Sequence, residues 1–328
     1  MDLTFPADVE QAARTARELV DSNVLERTAP ALASLAAVVA ESPLAHFAVF
    51  RELGRAPVPW AVTLRAAGLQ FHDVARLGVA QDAGLVGLAL GDPRRRPDPS
   101  TLGVHADPAT CALHGTAQLP GYLAPVDSIL VAAVVAGERP DVGLFLVSSE
   151  AGDSSAGGPL QIALNGAPAR LLERGDAAWR LLLALKRRER LSQIALAVGT
   201  ATRAHELALA VAREATAAKD PLALGQGVQF QVADDAIDLQ VAETLALHCA
   251  ALAEAGTLTE AELASTRFMV VEALERIARR AAHIAGLFAR AQPPWTTFVL
   301  ETARRLQLEG GAVELDRREA ALGVLQSV

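Results

Sequence analysis

VAREATAAKDPLALGQGVQFQVADDAIDLQVA, residues 211–242, reads as the end of one helix, a Lys-Asp-Pro turn and the start of a second. Pro221 ends the first helix because proline lacks the N–H and clashes with the preceding turn. Phe230, Ala233, Ile237, Val241 and Leu245 then recur at spacings of three and four, giving the second helix an apolar stripe. Upstream, RLSQIALAVGTATRAHELALAVAREATAA, residues 190–218, predicts one long helix. Downstream, Thr259 with Glu262 makes a capping-box pattern that opens a third, ELASTRFMVVEALERIARRAAHIAGLFA. Pro293 and Pro294 break it, and WTTFVLETARRLQL supplies a fourth. Long helices joined by short turns predict an antiparallel four-helix bundle over residues 170–328.

Before the bundle the period changes. Between about Gly91 and Pro168, ATCALHGTAQL alternates, SILVAAVVAG and VGLFLVSS are apolar runs, and Gly, Pro and Asp punctuate them. This predicts an antiparallel β-domain over 91–169, with helical character resuming from about Leu171. GDPRRRPDPS, residues 91–100, reads as a loop; its three arginines could meet a ligand phosphate or form a solvated loop. Residues 1–90 read as a small helical domain, because Ala12, Ala16, Leu19 and Val20, and again Leu32, Leu35, Val38 and Val39, keep helical spacing. RELGRAPVPW ends its last helix at Gly54 and Arg55, since Pro57 and Pro59 cannot continue it. The fold class is α+β: helical, β, helical.

Composition narrows the functions. Hydrophobic residues make up 51% of the 328 residues but aromatics only 4%, so the cores rest on Ala, Leu and Val, which suits closely packed helices. A net charge of −8 argues against nucleic acid, whose phosphates need clustered Lys and Arg; an anionic small ligand would need a local basic site. Two cysteines, Cys111 and Cys249, make no disulfide framework, and no Cys/His spacing suits a metal. The seven histidines show no paired-ligand pattern. The N-terminus lacks a basic region leading into an apolar run, and no charge-free apolar stretch reaches about 18 residues. The expectation is a soluble cytoplasmic protein in a reducing compartment, with no membrane span.

Three segments carry a resemblance to the acyl-CoA dehydrogenase family. RELGRAPVP resembles the family's "ELGR…P.P" helix end, and HGTAQLPGYLAPVDSILVAA resembles "GxKxWITNGxxADxxLVAA" of its β-domain. KDPLALGQGVQFQVADDAIDL resembles "FGxPIxxxQxxQxxLADMxxxL". The resemblance implies a shortened N-terminal domain and α,β-desaturation of an acyl-CoA thioester. In that reaction a carboxylate takes the α proton while the β hydrogen leaves as hydride to FAD.

The residues implied to hold flavin are mostly replaced. Residues 91–98 stand where the family has "TEPGAGSD", with three arginines and extra prolines in place of the glycines. Leu119, Pro120 and Gly121 stand at "WIT". Ala215 falls on the arginine that pairs with the pyrophosphate of a neighbouring subunit's flavin, and Ala218 and Lys219 fall on the Phe-Gly pair. Pro221 and Gln226 keep their types, so Gln226 is the candidate cofactor contact. Ala289 and Arg290 align with the glycine pair of "HGGxG", or in another register Gly310 and Gly311 do. For the base, Glu189 is the first candidate: it precedes Arg190 and lies ten residues before Gly199, the spacing of one family branch. A solvated charge in the run Lys186 to Arg190 is the alternative. Glu309, in a sequence similar to the family's "YEGT", is a second candidate, with a helix C-terminus as its ordinary explanation.

Four replacements in one site imply the smaller, degenerate subunit of a heterotetrameric, steroid side-chain type dehydrogenase. The resemblance implies that such a subunit works with a paralogous partner, as α2β2, that mainly holds the FAD, with an acyl-CoA as substrate. A non-enzymatic acyl-CoA-binding or scaffold protein and a homomeric dehydrogenase with an unusual flavin site stay open.

Overall fold

A computed structural model describes residues 5–22, 35, 39, 42–55, 86–92, 95, 97–118, 128–137, 141–148, 150, 153–154, 161–214, 216–217, 220–287, 293–308 and 311–326. Helix α1 (Ala7–Ser22) is followed by α2 (Pro43–Gly54). Ser42 caps α2 by accepting from the Ala45 N–H at 3.0 Å, with Pro43 at the first helical position where no N–H is needed. Helix α2 ends at Gly54, as RELGR predicts; Pro57 and Pro59 lie outside the described residues.

The β-domain contains β1 (Val86–Ala89), β2 (Val104–Ala106), β3 (Ala112–Gln118), β4 (Ser128–Val135), β5 (Asp141–Ser148), the short β6 (Asp153–Ser154) and β7 (Gln161–Arg174). Strand pairing closes on itself through β4, β2, β3, β7 and β5, so the sheet is a barrel. Four junctions of the ring are antiparallel, but β1 and β2 run parallel to β4 along one of its edges. Alternation along a strand says which side chains are buried and nothing about strand direction, so this mixed order lies beyond the sequence pattern. The apolar run of β4 has a similar explanation. Ile129, Val131, Ala133 and Val135 enter the barrel core, while Leu130 and Ala132 join an outer core with Ala178, Leu182 and Leu185.

Strand β7 extends to Arg174, past the expected change near Leu171, because residues 169–174 pair with β5 and close the barrel. Helix α3 (Asp176–Glu214) then serves both halves of the molecule. Its first turns pack on the barrel, and Ile194, Ala197, Val198 and Ala201 lie in the bundle core. It crosses α2 closely: a Cβ on Gly54 would sit 2.5 Å from the Leu196 carbonyl oxygen, and one on Gly199 would run into the Arg51 carbonyl. Thr200 Oγ1 donates to the Gly54 carbonyl at 2.9 Å across the same crossing.

The connection after α3 is more than a turn. Strands β8 (Thr216–Ala217) and β9 (Asp220–Pro221) pair, a 3-10 turn follows over Leu222–Leu224, and α4 (Gln226–Glu254) begins. Helix α5 (Glu260–Gly286) opens with the expected capping box of Thr259 and Glu262. After α6 (Pro294–Leu308) comes a further helix, α7 (Val313–Gln326), so the C-terminal unit has five described helices where the sequence predicts four. Helix α7 is charge-rich, with only Val313 and Asp316 fully buried, and so lacks the apolar stripe by which the others were recognised.

The predicted stripe on α4 exists but points outward. Phe230 is 60% exposed, Ile237 61% and Val241 46%, while Val228, Asp235, Ala242, Ala246 and Ala250 make the buried face. Helices α3 and α4 are each long and apolar enough to cross a membrane by length and composition. Helix α3 is the packed centre of this fold.

Candidate functional site

The first half of α3 carries Leu183, Lys186, Arg187 and Arg190 along one helical face, at spacings of three and four. That face borders a pocket of about 340 Å³ between the barrel loop at Arg95 and Pro97, the start of α5, and α7. Seven of its eleven described lining residues are charged. The cations are Arg95, Lys186, Arg187 and Arg190. The carboxylates are Glu260, Asp316 and Glu319.

Behind this wall lies a buried ion-pair cluster. Arg190 Nη2 donates to Asp316 Oδ1 at 2.5 Å and to Glu319 Oε2 at 2.7 Å. Arg267, fully buried on α5, donates to Gln193 Oε1 at 2.6 Å, to the Leu306 carbonyl at 2.7 Å and to Asp316 Oδ2. Four helices thus meet around two guanidiniums. Burial works against the Arg190 charge, but Asp316 and Glu319 outweigh it and hold its pKa above the ordinary arginine value. For Asp316, burial raises the pKa against the downward pull of Arg267 and Arg190. A guanidinium faces each of its oxygens.

Glu189 is buried, not a solvated charge, and its Oε2 lies 3.4 Å from Lys186 Nζ. It is not among the described pocket-lining residues; Arg190 is. The two candidates are therefore neighbours, of which Arg190 lines the pocket and Glu189 is buried beside Lys186. Gln226 is exposed on the first turn of α4 and belongs to neither the pocket nor the cluster. Gly311, at φ +108°, lines the pocket beside α7. Leu119, Pro120, Gly121, Ala215, Ala218 and Lys219 lie outside the described residues. So do Ala289, Arg290, Glu309 and Gly310.

Sequence reasoning missed Arg267, Asp316 and Glu319. The available signal was an arginine inside the apolar stretch ASTRFMVV, which calls for a buried acid that spacing alone cannot name. Cys249 is buried and its thiol is pushed up to about 11, chiefly by desolvation, which suits a packing role. Among the described residues no three His, Cys, Asp or Glu side chains gather as for a metal.

Residues 179–325 match the family profile described as acyl-CoA dehydrogenase, C-terminal domain. Over these residues the chain is similar to that domain. The whole chain has the matching fold. Butyryl-CoA dehydrogenase from Megasphaera elsdenii superposes with a TM-score of 0.81 at 16% identity, covering 99% of this chain and 100% of that one. A glutaryl-coenzyme A dehydrogenase in complex with glutaryl-CoA gives 0.83 at 17% identity, covering 99% and 97%. A steroid ACAD named for Tcur3481-Tcur3483 gives 0.74 at 19% identity, covering 98% of each chain. No curated protein sequence matches the chain.

The family resemblance and the α+β class read from the sequence hold. The acyl-CoA dehydrogenase fold raises the question of whether this chain's pocket fits FAD. An isoalloxazine is a flat, largely apolar ring system, and cofactor sites are mostly apolar with a few placed polar groups. The pocket between barrel and bundle carries seven charged side chains among its described lining, Arg95 among them.

Proposed function

We propose that this chain is a subunit of a FAD-dependent acyl-CoA dehydrogenase, with a degenerate flavin site of its own, that works with a paralogous partner as α2β2. The partner holds most of the FAD contacts and the acyl-CoA, and the complex is cytoplasmic. One observation carries the reading: an acyl-CoA dehydrogenase fold in which the pocket between barrel and bundle is lined by ion pairs. The outward apolar face of α4 supports the partner, since contiguous exposed apolar surface marks interaction sites. The steroid ACAD among the structural neighbours supports a bulky acyl group as substrate.

In this reading the chain's own residues build and orient the assembly. Arg190 and Arg267 fix α7 against α3 and α5, and Lys186 neutralises Glu189 in the helix interface. The base sits on the partner. Purified alone, the chain comes out colourless and partly aggregated; co-expressed with an adjacent full-length paralogue it gives a yellow complex. A yellow lone chain with one flavin per protomer overturns the reading. A colourless complex points instead to an acyl-CoA-binding or scaffold protein of the same fold. Within the yellow complex Glu189→Gln is expected to leave turnover within about threefold, whereas loss of a general base costs about a hundredfold or more and would put the base here.

A further inference from the structure

The outer wall of the barrel carries a pair of histidines that sequence spacing conceals. His105 on β2 and His114 on β3 match no ligand motif, yet the antiparallel register sets them directly opposite each other. Backbone bonds from the Asp107 N–H to the Ala112 carbonyl at 2.9 Å and from the Thr116 N–H to the Gly103 carbonyl at 3.1 Å lie two residues to either side. The histidines therefore occupy a hydrogen-bonded pair position, where Cα atoms stand about 5.5 Å apart. Val104, Ala106, Leu113 and Ala117 fill the barrel core, so His105 and His114 share the outward face, and both are exposed.

The surroundings leave the rings open to a ligand. Asn165 on β7 continues the row, paired with His114 and exposed like it. Gly166 beside it has no side chain; a Cβ there would stand 3.6 Å from His114 Cε1. Val134, opposite His105 on β4, brings no charge. Asp107 brings a negative one: its pKa is lowered chiefly by the Thr110 and Ala109 N–H groups and in smaller part by His114. A carboxylate within reach of the histidine charge favours a bound cation.

We infer that His105 and His114 chelate one borderline transition-metal ion, Cu²⁺, Ni²⁺ or Zn²⁺, on the barrel wall, each through one neutral ring nitrogen. Imidazole suits these ions, whereas Mg²⁺ and Ca²⁺ call for oxygen ligands. Two nitrogens on a tetrahedral ion stand about 3.3 Å apart, a gap that side chains rooted about 5.5 Å apart can close. The Asn165 amide is the third polar group of the row, and water fills the remaining positions. A chelate of two imidazoles needs no third His, Cys, Asp or Glu, which agrees with the lack of any such group of three among the described residues.

The test uses the full chain, stripped with EDTA, dialysed and titrated by calorimetry with Ni²⁺, Zn²⁺ and Mg²⁺. Ni²⁺ and Zn²⁺ are expected to bind at one equivalent per chain with Kd about 0.1 mM or below, and Mg²⁺ not to bind. His105→Gln and His114→Gln, both at exposed strand positions, are each expected to weaken binding about tenfold or more. His248→Gln, at an exposed histidine of α4, and Cys111→Ser, in the turn between β2 and β3, are expected to leave it unchanged. In the unsubstituted chain, Ni²⁺ should broaden the ring-proton resonances of two of the seven histidines before the rest. Absence of saturable binding, binding that survives both histidine substitutions, loss with Cys111→Ser, or first broadening at other histidines each overturn the inference.

Discussion

The junction of α3, α5 and α7 and the outer face of α4 invert the usual order of polarity. At the junction, two arginines and several carboxylates are packed away from water. On α4, Phe230, Ile237 and Val241 face out. Desolvated charge is costly unless every group is paired, and exposed apolar surface is costly unless something covers it. The charges of the first region are paired within the chain, although Arg190 Nε and Gln193 Nε2 lack hydrogen-bond partners, and the cluster reads as architecture. The second is exposed, and it is the surface that the proposed partner would cover.

The contrast can be broken first at its buried side. Arg267→Met leaves Asp316 with half its pairing and is expected to destabilise the chain by about 3–5 kcal/mol, read from urea unfolding. A loss below about 1 kcal/mol would mean that the cluster is solvated in practice. The apolar side is tested by Phe230→Asp with Ile237→Asp. This double variant is expected to weaken association with the partner by about 2 kcal/mol or more while making the isolated chain more soluble, as light scattering after size exclusion would show. Unchanged association would place the partner elsewhere.

A smaller effect sharpens the role of buried charge. Glu52 is buried on α2; desolvation raises its pKa, but Arg17, Arg51 and Arg55 outweigh it and hold the carboxyl below its ordinary 4.5. A depressed folded pKa contributes stability that is present above the unfolded value and is lost as pH falls through the folded one. Thermal midpoints should therefore decline below about pH 4.5, and Glu52→Gln should flatten that acid limb. The smallest effect belongs to Arg276→Ala. This arginine meets Asp238 at 2.7 Å with its side chain 44% exposed, so the loss should stay under about 1 kcal/mol in the same urea assay. If it rivals Arg267→Met, burial is not what separates the two ion pairs.

Much of the fold was legible because it rests on local periodicity. The capping box at Thr259, the helix end at Gly54 and the β-domain all announce themselves within a few residues. The site was legible only at one end. Glu189, Arg190 and the arginine loop stand out by spacing and charge, whereas Asp316 and Glu319 sit on a helix whose charged sequence hides its packing. Gly199 shows how a spacing marker can have a plain physical cause: it is the point where α2 and α3 nearly touch.

By itself the sequence determined the order of helical, β and helical units, the acyl-CoA dehydrogenase resemblance and the apolar stripe on α4. Periodicity and turn chemistry act between near neighbours, so one chain read in order reveals them. Tertiary structure decided that the stripe faces outward, that the barrel closes with two strands parallel to β4, and that Arg190 and Arg267 share Asp316. Each of these joins residues far apart in the chain. A helix repeats every 3.6 residues whichever way its apolar face turns, and a buried cation leaves its counter-charge unnamed until the helices pack.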